Sequence, residues 1–325
     1  MARTLPIFLF LLAFTGCRKE EKGLAPRRQP LQSPQPQAPV GSPGGGQPSA
    51  DATGIPLGKN NKKYCFIGDT GTGEKKQLDV ASALQQQGCG MIFHTGDIIY
   101  DQGIKNKDDP EFIAKFWDPY KKILEEDKVP FYMVAGNHDW ESPGTADAWK
   151  EVAKAHPDVI YYPHYWYATW LNREKTACLF VFDTQVDAAK QEEFFEKEKG
   201  NFAGCRFSIA MGHHPYAGAR KTLKAEGEFK KMIEKSILGH FDLYISGHMH
   251  QLEDVGVLNN SGTRQLISGA GARLHDLDDK PGDWAEVALG YLVLVESGTS
   301  EMKYQFVDVN NKPLREATYK GVGLR

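Results

Sequence analysis

Five short groups of polar residues, each beginning with glycine, carry side chains that could together do chemistry. They are GDTG at residues 68–71, GDIIY at 96–100, GNHD at 136–139, GHHP at 212–215 and GHMH at 247–250. Each group directly follows a short apolar run typical of a buried strand, where glycine allows a sharp turn and a close backbone approach. Because sites in open α/β sheets form at the carboxyl ends of strands, we expect the five groups to converge on one crevice.

The five groups supply carboxylates, imidazoles, one amide and one phenol, but no thiolate. Such donors suit hard or borderline cations, such as Fe, Mn or Zn, better than copper(I) or an iron–sulfur cluster. The candidate metal ligands are Asp69, Asp97, Tyr100, Asn137, His213, His248 and His250. These are too many for one four-coordinate zinc, but they divide between two ions if one carboxylate bridges them. The donor set therefore predicts a two-metal centre.

Each residue of this set also has a simpler interpretation. Aspartate after glycine is most often a helix N-cap or a turn residue, and the histidines and the tyrosine could be buried for packing. This interpretation would have to hold at five loops at once, so we favour the metal centre. His94 lies inside an apolar run and is assigned to packing, and core or interface burial is the default for Trp140, Trp149, Trp166 and Trp170.

Short apolar runs of β type recur along the chain, at residues 63–67, 91–95, 131–135, 178–182, 207–211 and 243–246. Apolar residues spaced as one face of a helix lie between several of these runs, for example Leu78, Ala81 and Leu84. Strands that alternate with helices predict an α/β sheet covered on both sides. After residue 246 strands alternate with turns instead, which predicts a second, mostly antiparallel sheet.

The amino-terminal residues differ in composition from the rest of the chain. Arg3, an apolar stretch and the small residues before Cys17 are typical of a secretory signal, assigned to residues 1–16. The sequence LAFTGC resembles a bacterial lipoprotein cleavage site, which would make Cys17 the acylated first residue of the mature protein. Residues 17–58 are rich in proline, glutamine and glycine, which predicts a lipid-anchored linker. We expect an exported, membrane-anchored lipoprotein that faces the periplasm or the cell surface.

Residues 59–325 fit one α/β catalytic domain. The chain has 39 Lys and Arg against 42 Asp and Glu. This balance offers no basic field for a nucleic-acid backbone, so no nucleic-acid partner is expected. Cys65 and Cys178 lie within apolar runs, which favours small buried hydrophobes over zinc or redox chemistry. Whether any pair among Cys65, Cys89, Cys178 and Cys205 forms a disulfide stays open.

The five groups, in this order, resemble those of the calcineurin-like metallophosphoesterase superfamily. Within this superfamily, the tyrosine of GDIIY, Tyr100, makes the sequence resemble the purple, tartrate-resistant-type acid phosphatases. The resemblance extends through VPFYMVAGNHDW, LFVFDT, IAMGHHP, YISGHMHQLEDV and LISGAGA. It implies an α/β fold of four layers, an α/β/β/α sandwich in which two mixed sheets are flanked by helices.

The resemblance also implies how the ligands divide between two ions. Fe(III) would be held by Asp69, Tyr100, His250 and a bridging Asp97, and a divalent ion, Fe(II), Zn or Mn, by Asp97, Asn137, His213 and His248. A phenolate suits a trivalent ion, whereas amide and imidazole donors suit a divalent one. Alternation along an extended GHMH segment would send both of its histidines to the same side, so that neighbouring ions could each take one.

The function implied is that of an exported, lipid-anchored acid phosphatase for small phosphorylated substrates, in which water activated by two metals attacks phosphorus in line. His138 is the candidate acid or phosphate-binding residue, and Asp139 is its candidate orienting partner. Mammalian-type relatives carry a second substrate histidine that this chain lacks in the loop after GHHP. His214, Arg220 and Lys221 are the candidates to replace it.

Two other functions remain open. Phosphodiester or nucleotide hydrolysis could use the same dinuclear centre, although metallophosphodiesterases more often have His, Asp or Asn where Tyr100 stands. A non-catalytic surface domain could keep the metals for shape, but no expected ligand is missing from the sequence. The natural ester, the divalent ion and the oligomeric state are not fixed by these motifs.

Overall fold

The structure is a computed structural model that describes residues 62–298 and 300–325. The predicted signal at residues 1–16, Cys17 and the linker at 17–58 lie outside the described residues. Among the residues described, no helix combines the length and the apolar composition that crossing a bilayer requires.

Fourteen strands form two seven-stranded sheets in the described part of the chain. The strands are β1 (Lys63–Ile67), β2 (Met91–His94), β3 (Phe131–Met133), β4 (Ile160–Tyr161), β5 (Tyr167–Trp170), β6 (Ala177–Val181), β7 (Phe207–Met211), β8 (Leu243–Ser246), β9 (Leu252–Val257), β10 (Arg264–Ser268), β11 (Trp284–Glu286), β12 (Gly290–Glu296), β13 (Glu301–Asp308) and β14 (Pro313–Lys320).

Both sheets combine parallel and antiparallel strands. The first has the order β14-β13-β12-β1-β2-β3-β4, with β1 to β4 parallel and the other pairs antiparallel. The second has the order β11-β9-β10-β8-β7-β6-β5, with β6, β7, β8 and β10 parallel. Its strands β5, β9 and β11 pair antiparallel. The parallel centre of each sheet comes from the apolar runs that precede the polar groups.

The strands after residue 246 do not form a separate antiparallel sheet, which corrects the prediction from their turn pattern. β9, β10 and β11 extend the second sheet, whereas β12, β13 and β14 join the first through the β1–β12 pair. The sequence of β12 is GYLVLVE, and its first five residues are buried. A strand that is apolar on both faces belongs in the interior of a sheet, and this places β12 beside β1.

Helices cover the outer faces of the sheets. The α-helices are α1 (Lys75–Gln87), α2 (Pro110–Phe112), α3 (Asp118–Lys121), α4 (Asn137–Glu141), α5 (Asp147–Ala155), α6 (Ala188–Glu198) and α7 (Gly227–Ser236). Two π-helical turns, Ile113–Trp117 and Lys122–Glu126, follow α2 and α3, and 3₁₀ turns occur at Lys199–Phe202 and Leu258–Asn260. Ala81 and Leu84 of α1 are buried as predicted, but Leu78 is 47% exposed, and Val80 takes its place in the core.

Side chains that alternate along the strands divide the core into three layers, as the period of two requires. Phe66 and Phe93 of the first sheet pack with Ile209 and Ile245 of the second, so this layer lies between the sheets. The opposite faces pack against helices on each side, around Trp149 in one layer and Phe195 in the other. The four-layer α/β/β/α sandwich of two mixed sheets is thus confirmed.

Two disulfides settle the question that the cysteine spacing left open. Cys65 pairs with Cys89 and Cys178 with Cys205, with Cα–Cα distances of 5.9 and 5.8 Å. All four residues are buried, as the apolar surroundings of Cys65 and Cys178 predicted. The paired cysteines are 24 and 27 positions apart in the chain, so no short cysteine motif could have predicted the pairing.

Candidate metal centre

The polar groups follow the carboxyl ends of five strands, β1, β2, β3, β7 and β8, and the structure brings their side chains together. Glycine permits this convergence where backbone and ligand nearly touch. A Cβ at Gly96 would lie 2.4 Å from Nδ1 of His213, and a Cβ at Gly136 would lie 2.1 Å from Oδ1 of Asp97. Neither position has room for a side chain, so the two glycines set how closely the loops approach.

Four of the seven candidate ligands have left-handed backbone conformations. The φ angles of Asp69, Asp97, His248 and His250 are 58°, 52°, 70° and 54°. Non-glycine residues adopt this region at a cost, and such residues cluster at functional sites. The GHMH segment is therefore not extended, which corrects the expectation that simple alternation positions its two histidines.

The first group of donors surrounds the phenol of Tyr100. Its oxygen lies 3.2 Å from Oδ1 of Asp69, 3.0 Å from Oδ2 of Asp97 and 2.9 Å from Nε2 of His250. All four residues are buried. One phenol proton cannot satisfy two carboxylates and an imidazole at once, so this arrangement has an excess of lone pairs directed at a common point.

The second group surrounds Nε2 of His213. This atom lies 3.1 Å from Oδ1 of Asn137, 3.1 Å from Nδ1 of His248 and 3.4 Å from Oδ1 of Asp97. Nδ1 of His213 lies 2.9 Å from the carbonyl oxygen of Thr95, to which it must donate. When the ring is neutral it presents a lone pair on Nε2, and a histidine fixed by a carbonyl on its other nitrogen is the usual form of a metal ligand.

Asp97 belongs to both groups and uses a different oxygen in each. Its Oδ2 faces Tyr100, and its Oδ1 faces His213. Asp69, Asp97 and His250 offer ligand atoms within 4.8 Å of one another, and so do Asp97, His213 and His248. The geometry thus matches two ions that share one carboxylate, the division that the donor types predicted.

The electrostatics of the site favour bound cations. Burial and the neighbouring Asp69 and Asp97 carboxylates raise the pKa of the Tyr100 phenol well above its usual range. Burial lowers the pKa of His213, but the Asp97 carboxylate outweighs burial and brings the value to about 9. Buried carboxylates are stable only with compensating charge, and a bound cation would supply it and release these protons. The residues present therefore fit a dinuclear metal group.

His138 lies beside the centre on helix α4. Its Nδ1 is 2.5 Å from the carbonyl oxygen of Asp101, and its ring centroid is 4.7 Å from that of Tyr100. Nε2 lies 3.9 Å from Oδ2 of Asp97, and the side chain is 27% exposed. His138 can therefore meet both solvent and a substrate at the metals.

Asp139 has a structural role rather than the predicted contact with His138. Its buried carboxylate accepts hydrogen bonds from the backbone N–H groups of Gly136 and Ile98, at 2.8 and 3.1 Å, and from Nε1 of Trp149, at 3.3 Å. The Asp101 carbonyl, not Asp139, is the partner of the His138 ring. Asp139 instead joins the GNHD loop to the GDIIY loop.

The three candidates for a second substrate residue lie in different surroundings. The ring of His214 is 4.2 Å from that of His248, and its Nδ1 lies 2.7 Å from Oγ1 of Thr184. Burial and the charge of His213 lower the pKa of His214 to about 3, so this ring is neutral. Among the described contacts, the side chain of Arg220 bonds to the carbonyl oxygen of Asp276 and to Asp278 rather than to a candidate ligand. Among these candidates, only His214 borders the donor cluster.

The neighbours of Arg220 and Lys221 lie in the loop after β10. Nη2 of Arg220 is 3.8 Å from the carboxylate of Asp278, and the backbone N–H of Lys221 donates to Oδ1 of the same residue at 2.9 Å. These contacts fix two loops to one another.

His94 is buried as predicted, yet it also supports the site. The N–H of Gly96 donates to its Nδ1 at 3.3 Å, and its Nε2 lies 2.9 Å from Oγ1 of Thr70. Trp149 and Trp170 are buried in the core, whereas Trp140 and Trp166 are only partly buried.

Sequence reasoning missed one loop at the site, residues 269–275. The backbone N–H of Gly271 donates to the carbonyl oxygen of Gly68 at 3.0 Å, and a Cβ at Gly269 would lie 2.8 Å from Oδ2 of Asp69. The signal was present in LISGAGA, in which small residues follow an apolar run as in the other five groups. No metal-ligating side chain in that run drew attention to it.

Comparison with known proteins agrees with this geometry. Residues 62–252, more than half of the chain, match the family model of the calcineurin-like phosphoesterases. Purple acid phosphatase 4 of Arabidopsis thaliana is 27% identical over 245 residues, which cover 65% of this chain and 68% of the relative. Tartrate-resistant acid phosphatase type 5 of Homo sapiens is 22% identical over 268 residues, which cover 73% of this chain and 81% of the relative.

Solved structures show the same fold. GAP50, the anchor in the inner membrane complex of Plasmodium, matches with a TM-score of 0.65 and 18% identity, over 82% of this chain and 90% of that chain. The purple acid phosphatase PPD1 from yellow lupin (Lupinus luteus) seeds matches with a TM-score of 0.61 and 15% identity, over 79% of this chain and 53% of that chain. Fold, motif order and family match agree, and the chain belongs to the calcineurin-like phosphoesterase family.

Proposed function

We propose that this protein is a metal-dependent acid phosphatase that hydrolyses small phosphomonoesters. The observation that carries the proposal is the position of Tyr100, whose phenol oxygen lies within 3.2 Å of two carboxylates and one imidazole. A phenol among these donors suits a trivalent ion beside a divalent one. Relatives named purple acid phosphatases and tartrate-resistant acid phosphatase support the choice of a monoester.

The two groups of donors assign each ion its residues. Asp69, Tyr100, His250 and Asp97 would hold Fe(III), and Asp97, Asn137, His213 and His248 would hold Fe(II), Zn or Mn. Bound cations at these positions supply an activated water and offset the negative charge that develops on the phosphoryl group. The role of this chain is to fix the two positions through a shared, buried Asp97 and through loops that approach one another closely at Gly96 and Gly136.

His138 would supply the proton that the leaving alkoxide needs. Because Nδ1 must donate to the carbonyl oxygen of Asp101, the ring presents Nε2 toward the centre. In the doubly protonated ring Nε2 also carries a proton, near the place where an ester oxygen would leave, and general acids of this kind act through a positioned side chain. Asp139 fixes the loop on which His138 lies, through Gly136 and Ile98.

The proposed location is outside the cytoplasm, with Cys17 as the site of lipid attachment and residues 17–58 as a spacer. The signal-like composition of residues 1–16 supports this proposal. The two disulfides support it as well, because disulfides persist mainly in oxidising compartments. Labelling of the expressed protein with a radioactive fatty acid, compared with the Cys17→Ala variant, tests the anchor.

The activity is tested by measuring metal content and hydrolysis together. The purified protein, loaded with iron and zinc, is given a 4-nitrophenyl phosphate monoester and the corresponding bis-4-nitrophenyl diester between pH 4 and 8. We expect faster turnover of the monoester, with a maximum below neutral pH. Preference for the diester would assign the centre to phosphodiesters, and two bound metals without turnover would indicate a non-catalytic domain.

A further inference from the structure

The loop at residues 269–275 forms a sixth wall of the metal centre. It follows β10, which pairs in parallel with β8, so its start lies beside the GHMH group. A Cβ at Gly271 would lie 2.4 Å from the carbonyl oxygen of Gly68. This close packing against the GDTG loop fixes the path of the chain and determines where the next side chains reach the surface.

Arg273 of this loop lies against the phenol that the first donor group surrounds. Its guanidinium carbon is 3.8 Å from the centroid of the Tyr100 ring, a cation–π contact, and Nη2 donates to Oδ1 of Asp101 at 2.6 Å. In the part of the chain that the structure describes, no other hydrogen bond from this guanidinium is recorded. The side chain is 38% exposed, so Nε and Nη1 can reach a ligand.

His275 lies two residues further on, over the second member of the same donor group. Its ring centroid is 4.2 Å from that of His250 at an angle of 32°, and its backbone N–H donates to the carbonyl oxygen of His250 at 3.1 Å. The residue is exposed. Arg273 and His275 therefore present a cation and an imidazole at the solvent side of the Tyr100 and His250 donors.

Contacts between the loop after β7 and residues 276–279 fix the chain directly after this wall. The backbone N–H groups of Asp278 and Asp279 both donate to the carbonyl oxygen of Ala219 at 3.1 Å. Arg220 bonds to the carbonyl oxygen of Asp276 and to Asp278, and Lys224 lies 3.4 Å from the carboxylate of Asp279. Arg220 thus supports this part of the chain, and its guanidinium is engaged by Asp276 and Asp278 rather than directed at a substrate phosphate.

We infer that Arg273 and His275 form the binding site for the phosphoryl oxygens of the substrate, and fill the place of the second substrate histidine that the loop after GHHP lacks. The inference rests on the proposed phosphatase function. Arginine presents planar donors that match phosphate oxygens, and the ring of Tyr100 and the carboxylate of Asp101 orient this fork in advance. The ring of His138 bonds to the backbone carbonyl of Asp101, and the guanidinium of Arg273 bonds to its carboxylate. Asp101 therefore positions both the proposed acid and the proposed phosphate-binding residue.

The test measures the binding of inorganic phosphate to the metal-loaded protein by calorimetry, together with KM and kcat for a small phosphomonoester. Arg273→Ala is expected to weaken phosphate binding and raise KM about tenfold, with a smaller change in kcat, because a charge-assisted hydrogen bond is lost. Arg273→Lys keeps the positive charge but not the planar pair of donors, so its phosphate affinity should lie between those of the parent protein and Arg273→Ala. His275→Ala should also weaken phosphate binding. Arg173→Ala, at an exposed loop position, is the matched control.

Metal content decides between direct binding and an indirect effect. Weaker phosphate binding in Arg273→Ala with both metals retained supports the assignment. Phosphate affinity within twofold of the parent protein overturns it, and so does a loss of affinity that only follows a loss of metal. If the parent protein binds phosphate through Arg273 but hydrolyses no monoester, the proposed function fails while this site stands.

Discussion

The phenol oxygen of Tyr100 lies 2.9 Å from Nε2 of His250, although the two residues are 150 positions apart in the chain. Tyr100 follows a strand of the first sheet and His250 follows a strand of the second. The contact therefore joins the two sheets at the edge where their parallel strands end. A site built in this way depends on the packing of both sheets, and each loop contributes only one or two donors.

Replacement of Tyr100 by phenylalanine tests the proposed trivalent site. Tyr100→Phe removes one oxygen from the group formed with Asp69, Asp97 and His250, so we expect iron binding to weaken and the visible absorption of an iron–phenolate pair to disappear. Loss of a ligand should weaken metal binding by at least about tenfold to a hundredfold, the range found for the outer partners of ligands. Metal analysis and the visible spectrum provide the measurement.

A buried tyrosine outside the cluster gives the control for this change. The Tyr162 hydroxyl has no hydrogen-bond partner among the described residues, so Tyr162→Phe removes a phenol oxygen without breaking such a contact. This variant should keep both metals and the colour. Equal spectra of Tyr100→Phe and the parent protein would show that the phenol is not a ligand.

Asp97 and Asp69 should differ in how many ions depend on them. Asp97 faces Tyr100 with one oxygen and His213 with the other, so Asp97→Asn should reduce the content of both metals. Asp69 faces the first group with Oδ1, and its Oδ2 accepts the backbone N–H of His248, a bond that an asparagine oxygen can keep, so Asp69→Asn should leave most of the second ion in place. Metal-to-protein ratios after dialysis measure the difference. The same loss in both variants would rule out a single bridging carboxylate.

Replacement of His138 should affect esters according to their leaving group. Without a proton donor, hydrolysis of an alkyl phosphate should slow by about a hundredfold to ten-thousandfold, the range typical of general acids. A 4-nitrophenyl ester leaves as a stable anion and should be affected much less by His138→Ala. Values of kcat for the two esters give the comparison, and the exposed His164→Ala serves as the control. An equal decrease for both esters would identify His138 as a phosphate-binding residue instead.

Much of the candidate centre could be predicted because its residues directly follow strands. Asp69, Asp97 and His213 come one or two residues after apolar runs, and the ends of parallel strands meet at one edge of a sheet. The type of each donor then indicated the kind of cation. Neither step required knowledge of the strand order, which explains why seven residues from five loops could be identified together.

The remainder depends on relations that a linear pattern does not contain. The position of Arg273 beside Tyr100 follows from the pairing of β10 with β8, which the turn-rich sequence after residue 246 did not predict. The left-handed backbone of His248 and His250 depends on the packing of their loop against Asp69, whose carboxylate accepts from the N–H of His248 at 2.9 Å. Asp139 was misassigned because its neighbour in sequence, His138, is not its partner in space.

The disulfide between Cys178 and Cys205 should contribute measurably to stability. It closes a loop of 27 residues, for which the loss of chain entropy in the unfolded state corresponds to about 3 to 4 kcal/mol. The Cys178→Ser, Cys205→Ser double variant should lower the free energy of unfolding in urea by about this amount. A reducing agent should lower the stability of the parent protein further than that of the variant. Equal sensitivity of both to reduction would indicate that this pair is not bonded in solution.

Asp183 provides a prediction for the pH dependence of stability. Its carboxylate is buried and accepts hydrogen bonds from the N–H of Gln185 at 2.8 Å and from Nε1 of Trp140 at 3.0 Å. Burial raises the pKa of Asp183 to about 7, whereas the carboxyl has a pKa near 3.8 without this environment. The folded protein therefore binds this proton more tightly than the unfolded chain does. Its contribution to stability is complete below pH 4 and is lost as the pH rises through 7.

Asp183→Asn removes this titration while it keeps an oxygen to accept a hydrogen bond. Between pH 4 and 8 the variant should gain stability relative to the parent protein, by up to about 4 kcal/mol for a shift of three pKa units. Urea unfolding at several pH values measures the trend, and the exposed Asp158→Asn should reproduce the parent curve. A constant difference between Asp183→Asn and the parent at all pH values would mean that the Trp140 and Gln185 hydrogen bonds outweigh burial and keep the carboxylate charged. The stability maximum of the protein would then be set by other groups.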